Sequence, residues 1–411
     1  MKFCPTCGQE FPDSERFCRH DGTTLRPRDA SADLIGTIIG ERYHVLAKLG
    51  AGGMGEVYLA EHVRMKRKSA IKIMHPAMMA DADAVSRFNR EASNACQILH
   101  PNVAAIYDFG ESAGGIVYLA MEYVEGDSLA RLLAHGPLLP SRVSDLVRQI
   151  AAALDEAHRL GIVHRDLKPD NVLIGRRPDG GDLVKVVDFG ISKIADDAQT
   201  VTRTGQVIGT PDYMSPEQLS GEPVDLRSDI YSLAIVAFAA LSARLPFESD
   251  SVQTSMLRRF TERPRRLSEA NASVTWPVEL QDVLDRAMEL DPAGRYPSAS
   301  SFAAALASAV AIMPATTANE GMAAAGPRVV GPPMPTSASA ASAASASSTS
   351  ASSWSASDIA AIETRLAKAV GPIARVLVKR AAASATDRRG LIATLAAEID
   401  DPKAREQFER G

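Results

Sequence analysis

The segment at residues 163–171 constrains this 411-residue chain more than any other, because it sets three different chemical groups at fixed spacing. It reads VHRDLKPDN, with a carboxylate at Asp166, an ammonium at Lys168 and an amide at Asn171. Transfer of a phosphoryl group needs an oriented hydroxyl and neutralised phosphate charge more than covalent help from the protein. In such a reaction Asp166 would orient the hydroxyl, Lys168 would lie on the transferred phosphate, and Asn171 would bind a metal ion.

A second carboxylate follows a short apolar strand about twenty residues later, in Asp188-Phe189-Gly190. Magnesium takes hard oxygen ligands and keeps several waters, so one carboxylate and one amide suffice when phosphates complete the shell. Asp188 and Asn171 are therefore candidate ligands for Mg²⁺, or for Mn²⁺ in its place.

A glycine-rich segment lies upstream, between two predicted strands. Glycines allow backbone N–H groups to approach phosphate oxygens without a Cβ clash. A dinucleotide site would require a helix directly after the glycines, and the strand-like EVYLAEHV at 56–63 argues against that reading. The candidate nucleotide-contacting residues of this segment are Leu49, Gly50, Ala51, Gly52, Gly53, Met54, Gly55, Glu56 and Val57.

A lysine lies on the next predicted strand, SAIKIM at 69–74. Side chains alternate along a strand, so Lys72 faces away from its isoleucine neighbours and toward the glycine segment. An ammonium in that position needs a carboxylate to hold it. Glu91 on the following helix is the candidate, with Glu56 and Glu61 as rivals on the strand beside the glycines.

The order of elements predicts an α+β fold with two lobes, because strands dominate first and helices afterwards. Strands are predicted at 103–109 and 116–124 and a helix at 83–99. Apolar residues at helical spacing predict a further helix around 143–157 that stops at Gly161. Strand and helix patterning of this density extends over residues 41–311.

With these motifs in order, the segment from about Tyr43 to Ala311 resembles the eukaryotic-like serine/threonine protein kinases of bacteria. The resemblance implies the two-lobed protein kinase fold, with a β-rich N-lobe and a helical C-lobe. It also implies an ATP- and magnesium-dependent phosphotransferase that acts on serine and threonine hydroxyls of protein substrates. Related kinases activate in trans through lobe contacts, so a transient homodimer is expected.

The resemblance also assigns residue roles. Asp166 would be the catalytic base, and Asn171 and Asp188 would be the magnesium ligands. Lys72 would hold the α- and β-phosphates and pair with Glu91. The residues around the adenine ring would be Leu49, Val57 and Ala70, with Met121 as gatekeeper and Glu122-Tyr123-Val124 as the hinge.

Other positions are implied by the same resemblance to support the fold. Glu217 is expected to form a buried ion pair with Arg295, and Asp229 is expected to brace the backbone of the catalytic loop. Ser215 stands where the family pattern usually has alanine, which is a mild departure away from the phosphate chemistry.

The hydroxyl class and the regulation follow from a few residues. Lys168 within HRDLKPDN is the serine/threonine form, and Thr210 resembles the threonine that contacts Asp166 and Lys168 in such kinases. Thr202 and Thr204 occupy positions that related kinases autophosphorylate. Arg165 would be a cation beside the catalytic aspartate where a phosphothreonine could dock.

Two other functional classes compete with an active protein kinase. A pseudokinase scaffold is disfavoured, because such proteins typically lack the strand lysine, the catalytic aspartate or the metal-binding aspartate. This chain retains Lys72, Asp166 and Asp188. A small-molecule kinase of similar fold is disfavoured by GTPDYMSPE at 209–217, which suits peptide substrates.

Three of the four cysteines lie in residues 1–26, a spacing typical of a metal site rather than a disulfide framework. The segment resembles the short zinc ribbons that precede some bacterial signalling proteins. The expected zinc ligands are Cys4, Cys7, Cys18 and Asp21, with His20 as the alternative for the fourth. An unmetallated redox thiol cluster is the competing interpretation.

The remaining segments differ in composition. Residues 314–356 are almost entirely Ala, Ser, Pro and Thr and are predicted to be a disordered linker. Residues 357–411 regain helical periodicity and are predicted to be a small helical module. A partner protein could dock there through a basic patch, although a solvated helix face is the simpler explanation. That patch comprises Arg375, Lys379, Arg380, Arg388 and Arg389.

Charge and hydropathy narrow the setting of the protein. The formal net charge of −5 predicts no generic affinity for nucleic acid or for anionic membranes. The N-terminus has no apolar signal-peptide region, and the apolar run at 230–243 is too short to span a bilayer. The sequence therefore predicts a cytoplasmic protein without a membrane segment.

Overall fold

The computed structural model of the chain describes residues 2–4, 9–12, 14–23, 25–27, 34–52, 55–79, 82–112, 115–189, 211–249 and 252–313. In the C-terminal segment it describes residues 358–359, 361–362, 365–366, 378, 381, 388–397, 405 and 408. The predicted linker at 314–356 lies outside these residues.

The N-lobe is built on a six-stranded antiparallel sheet with the strand order β4-β5-β6-β7-β9-β8. Two short helices, α1 (Pro76–Met79) and α2 (Ala82–Ala95), follow β7. Apolar residues of α2 pack on one face of the sheet, which fixes this helix beside the strands that carry the site. The strands are β4 (Ile38–Ile39), β5 (Tyr43–Gly52), β6 (Gly55–His62), β7 (Lys68–Met74), β8 (Ile106–Glu111) and β9 (Val117–Glu122).

The C-lobe is mainly helical. Its helices are α3 (Leu129–Leu133), α4 (Pro140–Arg159), α5 (Pro216–Ser220), α6 (Leu226–Ser242), α7 (Val252–Thr261), α8 (Leu267–Ala270), α9 (Val278–Ala287) and α10 (Ala299–Ala311). The C-lobe also contains a small antiparallel sheet of β10 (Asp127–Ser128), which precedes α3, and β11 (Val172–Arg176) and β12 (Asp182–Val186), which follow α4. The catalytic loop leads into β11, and Asp188 follows β12.

Helix α6 is the centre of the C-lobe core. Every residue from Ser228 to Ser242 is buried, so the helix is enclosed on all sides rather than amphipathic. Its apolar side chains join those of α4, α9 and α10 in one continuous hydrophobic cluster. Its N-terminal turn, which carries Asp229, reaches the catalytic loop.

The two flanking segments each contain a small core of their own. In the N-terminal segment, β1 (Lys2–Phe3) pairs with β2 (Glu10–Phe11) and β3 (Arg26–Pro27) around buried Cys4, Phe11, Cys18 and Leu25. In the C-terminal segment, Ile362, Leu366, Leu391 and Leu395 are buried together, the last two on α11 (Arg388–Ala397). Among the described residues, no helix combines the length and apolarity needed to cross a membrane.

The α+β class with two lobes is confirmed. The boundaries of single elements shift by a few residues: the helix predicted at 83–99 ends at Ala95, and the strand predicted at 103–109 begins at Ile106. Residues 96–97 form a turn directly after the helix, and the residues from Ala95 to Leu99 contain no glycine or proline that would signal this earlier end.

Candidate active site

The glycine segment forms the hairpin between β5 and β6, with Gly52 opposite Gly55. A Cβ on Gly55 would lie 1.9 Å from the backbone carbonyl oxygen of Ile73, so only glycine fits between β6 and β7. Gly50, Ala51 and Gly52 are exposed along the end of β5. Gly53 and Met54, at the tip of the predicted phosphate loop, lie outside the described residues.

Side chains next to the hairpin hold its backbone. The Glu56 carboxylate accepts hydrogen bonds from Lys48 Nζ and from the Tyr58 hydroxyl, each 2.5 Å long. The bonds from Lys48 and then Tyr58 lower the pKa of Glu56. His75 Nε2 lies 3.2 Å from the Gly52 carbonyl oxygen. Because the Glu56 side chain is committed to Lys48 and Tyr58, only its backbone is left for a nucleotide.

The strand lysine, Lys72, lies beside Asp188, the carboxylate predicted to bind magnesium. Lys72 is buried on β7, opposite Val57 of β6, and its Nζ lies 2.8 Å from Asp188 Oδ2. Burial works to raise the pKa of Asp188, but the charge and hydrogen bond of Lys72 outweigh it and lower that pKa. Asp188 is therefore an ionised carboxylate next to an ammonium.

The three candidate partners of Lys72 occupy different places. Glu91 is buried on α2, Glu56 is bound to Lys48 and Tyr58, and Glu61 lies 3.3 Å from Lys66 Nζ. The pairing of Lys72 with Glu91 stays a prediction, because the ion pair of Lys72 recorded in this structure is the one with Asp188.

The residues predicted around an adenine ring lie on neighbouring strands of the N-lobe sheet. Ala70 of β7 is in register with Met121 of β9, and Val57 packs against the same cluster. Leu49 is 46% exposed on β5, as expected for a side chain that would cover a ligand rather than pack in the core. A small pocket is lined by Met121 together with Leu119, Val186 and Phe189.

The predicted hinge joins the two lobes at the end of β9. The Glu122 carboxylate accepts a hydrogen bond from Lys185 Nζ at 2.8 Å and another from the Ala105 N–H at 3.2 Å. The Glu122 N–H in turn donates to the Ala105 carbonyl at 2.8 Å, so both the side chain and the N–H of Glu122 are engaged within the protein.

The catalytic-loop residues converge on one carboxylate. Lys168 Nζ donates to Asp166 Oδ2 at 2.8 Å, and Asn171 Nδ2 donates to the same oxygen at 3.1 Å and to the Asp166 carbonyl at 2.7 Å. No described residue donates to the Asn171 side-chain oxygen, so that hard ligand atom is available. The three residues that the sequence singled out thus form one contact group.

The catalytic loop is anchored by Asp229 in the first turn of α6. The Asp229 carboxylate, fully buried, accepts hydrogen bonds from the backbone N–H groups of His164 and Arg165 at 2.8 and 2.9 Å. His158 Nε2 lies 2.7 Å from the same carboxylate. The predicted bracing role of Asp229 is confirmed, whereas His158 was missed because a histidine on a buried helix face carries no sequence signal.

The His164 ring connects the catalytic loop to the segment that precedes Asp188, a role that the sequence did not predict. Its Nε2 donates to the Val187 carbonyl at 3.0 Å, and its Nδ1 accepts from the Asp166 N–H at 3.3 Å. Both bonds together require the neutral tautomer with hydrogen on Nε2. The ring also packs on Phe189, with centroids 4.6 Å apart. The loop of Asp166 and the segment before Asp188 are therefore held in one arrangement.

Two residues of the site adopt a left-handed backbone that non-glycine residues rarely occupy. Arg165 has φ of 68° and Asp188 has φ of 63°. Such conformations cost about 1–3 kcal/mol each and cluster where geometry matters for function. Arg165 directly precedes Asp166, and Asp188, itself a predicted metal ligand, directly precedes Phe189.

The buried ion pair predicted between Glu217 and Arg295 is confirmed. Both Arg295 terminal nitrogens donate to the Glu217 carboxylate, at 2.7 and 2.8 Å, and both side chains are almost fully buried. Burial would raise the pKa of Glu217, but the Arg295 bonds, with one from Ser228, outweigh it and lower that pKa. Thr210, Thr202 and Thr204 lie outside the described residues.

The N-terminal segment brings three predicted metal ligands together. Ligand atoms of Cys4, Cys18 and Asp21 all lie within 4.8 Å of one another, and Cys4 Sγ is 3.3 Å from Asp21 Oδ2. The backbone N–H of Thr23 lowers the pKa of Asp21, so its carboxylate is ionised. The exposed His20 directs its backbone N–H, at 3.4 Å, toward Cys18 Sγ. Cys7 lies outside the described residues.

Comparisons with known families divide the chain in two. Residues 43–306 match the protein kinase domain. Residues 357–410 match a domain of unknown function, DUF8082.

Several curated proteins are similar to the chain. The serine/threonine-protein kinase pkn3 of Myxococcus xanthus is 38% identical over 278 residues, which cover 67% of this chain and 51% of that protein. Pkn1 of the same organism is 35% identical over 348 residues, or 81% of this chain and 50% of that protein. PknB of Mycobacterium leprae is 38% identical, with 65% and 43% covered. The chain thus spans about half the length of these relatives, or less.

A solved structure has the same fold. The kinase domain of PknI from Mycobacterium tuberculosis aligns with a TM-score of 0.55 at 30% identity, covering 68% of this chain and all of that chain.

Proposed function

Because the chain belongs to the protein kinase domain family, we propose that it transfers the γ-phosphate of ATP to serine and threonine hydroxyls of proteins. The observation that carries the proposal is the contact of two groups. One is the Lys72–Asp188 ion pair and the other is the set of Asp166, Lys168 and Asn171. The Val187 N–H, directly before Asp188, donates to the Asn171 carbonyl at 3.0 Å and joins them.

Each residue has a role that its surroundings support. Asp166 accepts the proton of the substrate hydroxyl and points it at the phosphorus, because its carboxylate is fixed by Lys168 and Asn171. Lys168 then balances charge on the transferred phosphate. Lys72 holds the α- and β-phosphates, and the glycine hairpin covers them with its backbone N–H groups.

The donor set fits magnesium. Asp188 supplies an ionised carboxylate oxygen, and Asn171 supplies an amide oxygen whose amide nitrogen is already bound to Asp166. Both are hard ligands of the kind that Mg²⁺ or Mn²⁺ takes. The ion, when bound, neutralises the phosphate oxygens. Lys72 is displaced from Asp188 toward the phosphates and Glu91 as the nucleotide enters.

The hydroxyl class rests on Lys168 and on the relatives, which are named serine/threonine-protein kinases. Labelling of a generic basic protein with γ-labelled ATP tests the activity. We expect label on serine and threonine, none after chelation of divalent metal, and a loss of at least about 10²-fold in Lys72→Met, because phosphate charge is then uncompensated. Lys66→Met, which breaks only the exposed pair with Glu61, is the matched control. Equal labelling by wild type and Lys72→Met would refute the proposed mechanism.

We also propose that the segment from Asp188 to Glu217 is an activation loop that regulates the enzyme by autophosphorylation at Thr202, Thr204 or both, in trans within a transient homodimer. The Arg165 guanidinium is half-buried next to Asp166 and has no acidic partner among the described residues. A phosphothreonine would supply one. Phosphopeptide mapping of the labelled enzyme checks this, and an active enzyme unmodified at both threonines would contradict it.

For residues 1–26 we propose a structural zinc site formed by Cys4, Cys7, Cys18 and Asp21. Zinc–thiolate bonds of about 2.3 Å in a tetrahedral site separate ligand atoms by roughly 3.5–3.8 Å, a range that the Cys4–Asp21 contact approaches. Asp21, rather than His20, is supported as the fourth ligand, because its carboxylate lies against Cys4 whereas the described contact of His20 is made by its backbone.

Metal analysis of the purified chain tests the zinc site. We expect about one zinc per chain in wild type, retained in His20→Ala and lost in Cys4→Ser and Asp21→Ala. Cys96→Ser is the control, since Cys96 directly follows α2 in the N-lobe and does not belong to the cluster of Cys4, Cys18 and Asp21. Zinc near zero with freely reactive thiols would replace the ribbon with the redox interpretation.

We propose that residues 41–311 are the catalytic unit, that residues 314–356 are a linker, and that the helical module at 357–411 docks a protein partner. The buried cluster around Leu366 and Leu391 supports an independently packed module. The cysteine spacing, typical of metal ligands, favours a reducing compartment, so we propose the cytoplasm as the location. Deletion of residues 357–411 that abolished peptide phosphorylation would contradict the docking role.

A further inference from the structure

Helix α5 sends one side chain into the catalytic loop. Gln218 Nε2 donates a hydrogen bond of 2.6 Å to the backbone carbonyl of Arg165. This carbonyl belongs to the peptide unit that leads directly into Asp166. No other hydrogen bond to a described residue links α5 to that loop.

The orientation of the Gln218 amide is fixed at its other end. Its Oε1 accepts from the backbone N–H of Ser215 at 3.0 Å and from the Ser215 hydroxyl at 3.1 Å. A flipped amide would face the Arg165 carbonyl with an oxygen and the Ser215 N–H with a nitrogen, which would lose both bonds. Ser215 is fully buried and caps α5, so it is held firmly itself.

The peptide units on both sides of Arg165 are therefore clamped. Asp229 accepts the Arg165 N–H at 2.9 Å, and Gln218 donates to its carbonyl. Between these two contacts Arg165 holds its left-handed φ of 68°, a conformation that non-glycine residues keep only when their surroundings enforce it. Asp229 fixes the entry to this turn, and Gln218 fixes its exit toward Asp166.

We propose that Gln218 is a positioning residue that sets the direction of the Asp166 carboxylate through the Arg165–Asp166 peptide. Ser215 orients Gln218 for this task through its N–H and its hydroxyl. The inference rests on the proposed kinase activity. Helix α5 also carries Glu217, whose ion pair with Arg295 fixes the helix to the C-lobe core. The Gln218 side chain therefore extends from a helix that is itself held in place.

Two substitutions separate positioning from folding. Gln218→Glu keeps an oxygen acceptor for Ser215, and glutamate is a standard capping-box partner at this position, but it has no donor for the Arg165 carbonyl. Gln218→Met has similar size and loses both functions. Ser220→Ala is the control on the same helix, since the one hydrogen bond of its hydroxyl to a described residue is that to the Pro216 carbonyl.

Kinetics and unfolding temperatures are then measured on the full chain. We expect Gln218→Glu to keep the ATP KM and to lower Tm less than Gln218→Met does, while kcat falls about tenfold or more, because a small displacement of a catalytic group is costly. Gln218→Met should lower both Tm and kcat, and Ser220→Ala should change neither. Hydrogen exchange of the catalytic-loop peptide should be faster in Gln218→Glu than in wild type.

The outcomes are distinct. A Gln218→Glu enzyme with wild-type kcat and unchanged exchange would overturn the positioning role and leave kinase activity intact. A kcat that falls only in step with Tm across the variants would overturn it too, as a purely structural effect. Wild-type protein without kinase activity would overturn the proposed function itself, and the inference with it.

Discussion

Replacing Asp166 by asparagine should lower kcat by about 10²–10⁴-fold, the range expected for loss of a general base. The substitution keeps the size of the side chain and an oxygen that can accept from Asn171, which now donates to Asp166 Oδ2. It removes the negative charge that accepts the hydroxyl proton and that holds Lys168 at 2.8 Å. The ATP KM should change little, since Lys72, Asp188 and the glycine hairpin, to which ATP binding is assigned, are unchanged. Steady-state kinetics with a serine peptide measure both constants.

Asp179→Asn is the matched control for this change. Asp179 is exposed in the turn between β11 and β12 and bonds to Arg177 and the Gly181 N–H, away from the catalytic loop. We expect it to retain wild-type kcat. An Asp166→Asn enzyme within a few-fold of wild type would show that another group accepts the proton, and the assigned base would be wrong.

Replacing Arg295 by leucine should reduce the free energy of unfolding by about 3–5 kcal/mol, because it leaves a buried carboxylate without its counter-charge. Glu217 is 4% exposed, and Arg295 supplies two of its hydrogen bonds. Arg295 also binds three backbone carbonyls, of Arg227, Glu289 and Leu290, which would lose a donor. Denaturant unfolding of the full chain measures the effect.

Two controls test whether the cost comes from the unpaired charge. The double variant Glu217→Met with Arg295→Leu removes both charges and should recover part of the loss. Arg148→Leu breaks only the exposed pair with Asp145 and should cost no more than about 1 kcal/mol. If Arg295→Leu and Arg148→Leu were equally stable, the buried pair would contribute no more than a surface contact.

The parts of the site that could be predicted from the residues alone lie close together along the chain, whereas the distant Glu217–Arg295 and Asp229 contacts were expected only from the family resemblance. Asp166, Lys168 and Asn171 span six positions, so a single loop brings them into contact whatever the rest of the fold does. The glycine hairpin was predictable for the same reason, because strands β5 and β6 are adjacent in sequence. Period-two and helical patterns located most elements to within a few residues.

Contacts between distant segments were harder to predict. The sequence suggested a glutamate as partner for Lys72, whereas the recorded pair joins Lys72 to Asp188, 116 residues away, and depends on how the lobes meet. Only one of the two contacts of the Gln218 side chain could be predicted from the sequence. The spacing of Ser215 and Gln218 is that of a capping box, but a backbone carbonyl such as that of Arg165 leaves no mark in a sequence. His158 and His164 were missed because their partners are likewise backbone or buried groups.

Helix α6 has a consequence for how the C-lobe reaches its native state. A helix whose residues from Ser228 to Ser242 are all buried has no face that water can solvate, so it is stable only when its neighbours already surround it. Assembly of α4, α6, α9 and α10 is therefore expected to be concerted, as one cooperative unit. During synthesis this apolar segment leaves the ribosome before α9 and α10 exist to cover it. The nascent chain is then most prone to aggregate, because α6 stays uncovered until residues 243–311, which contain α9 and α10, have been synthesised.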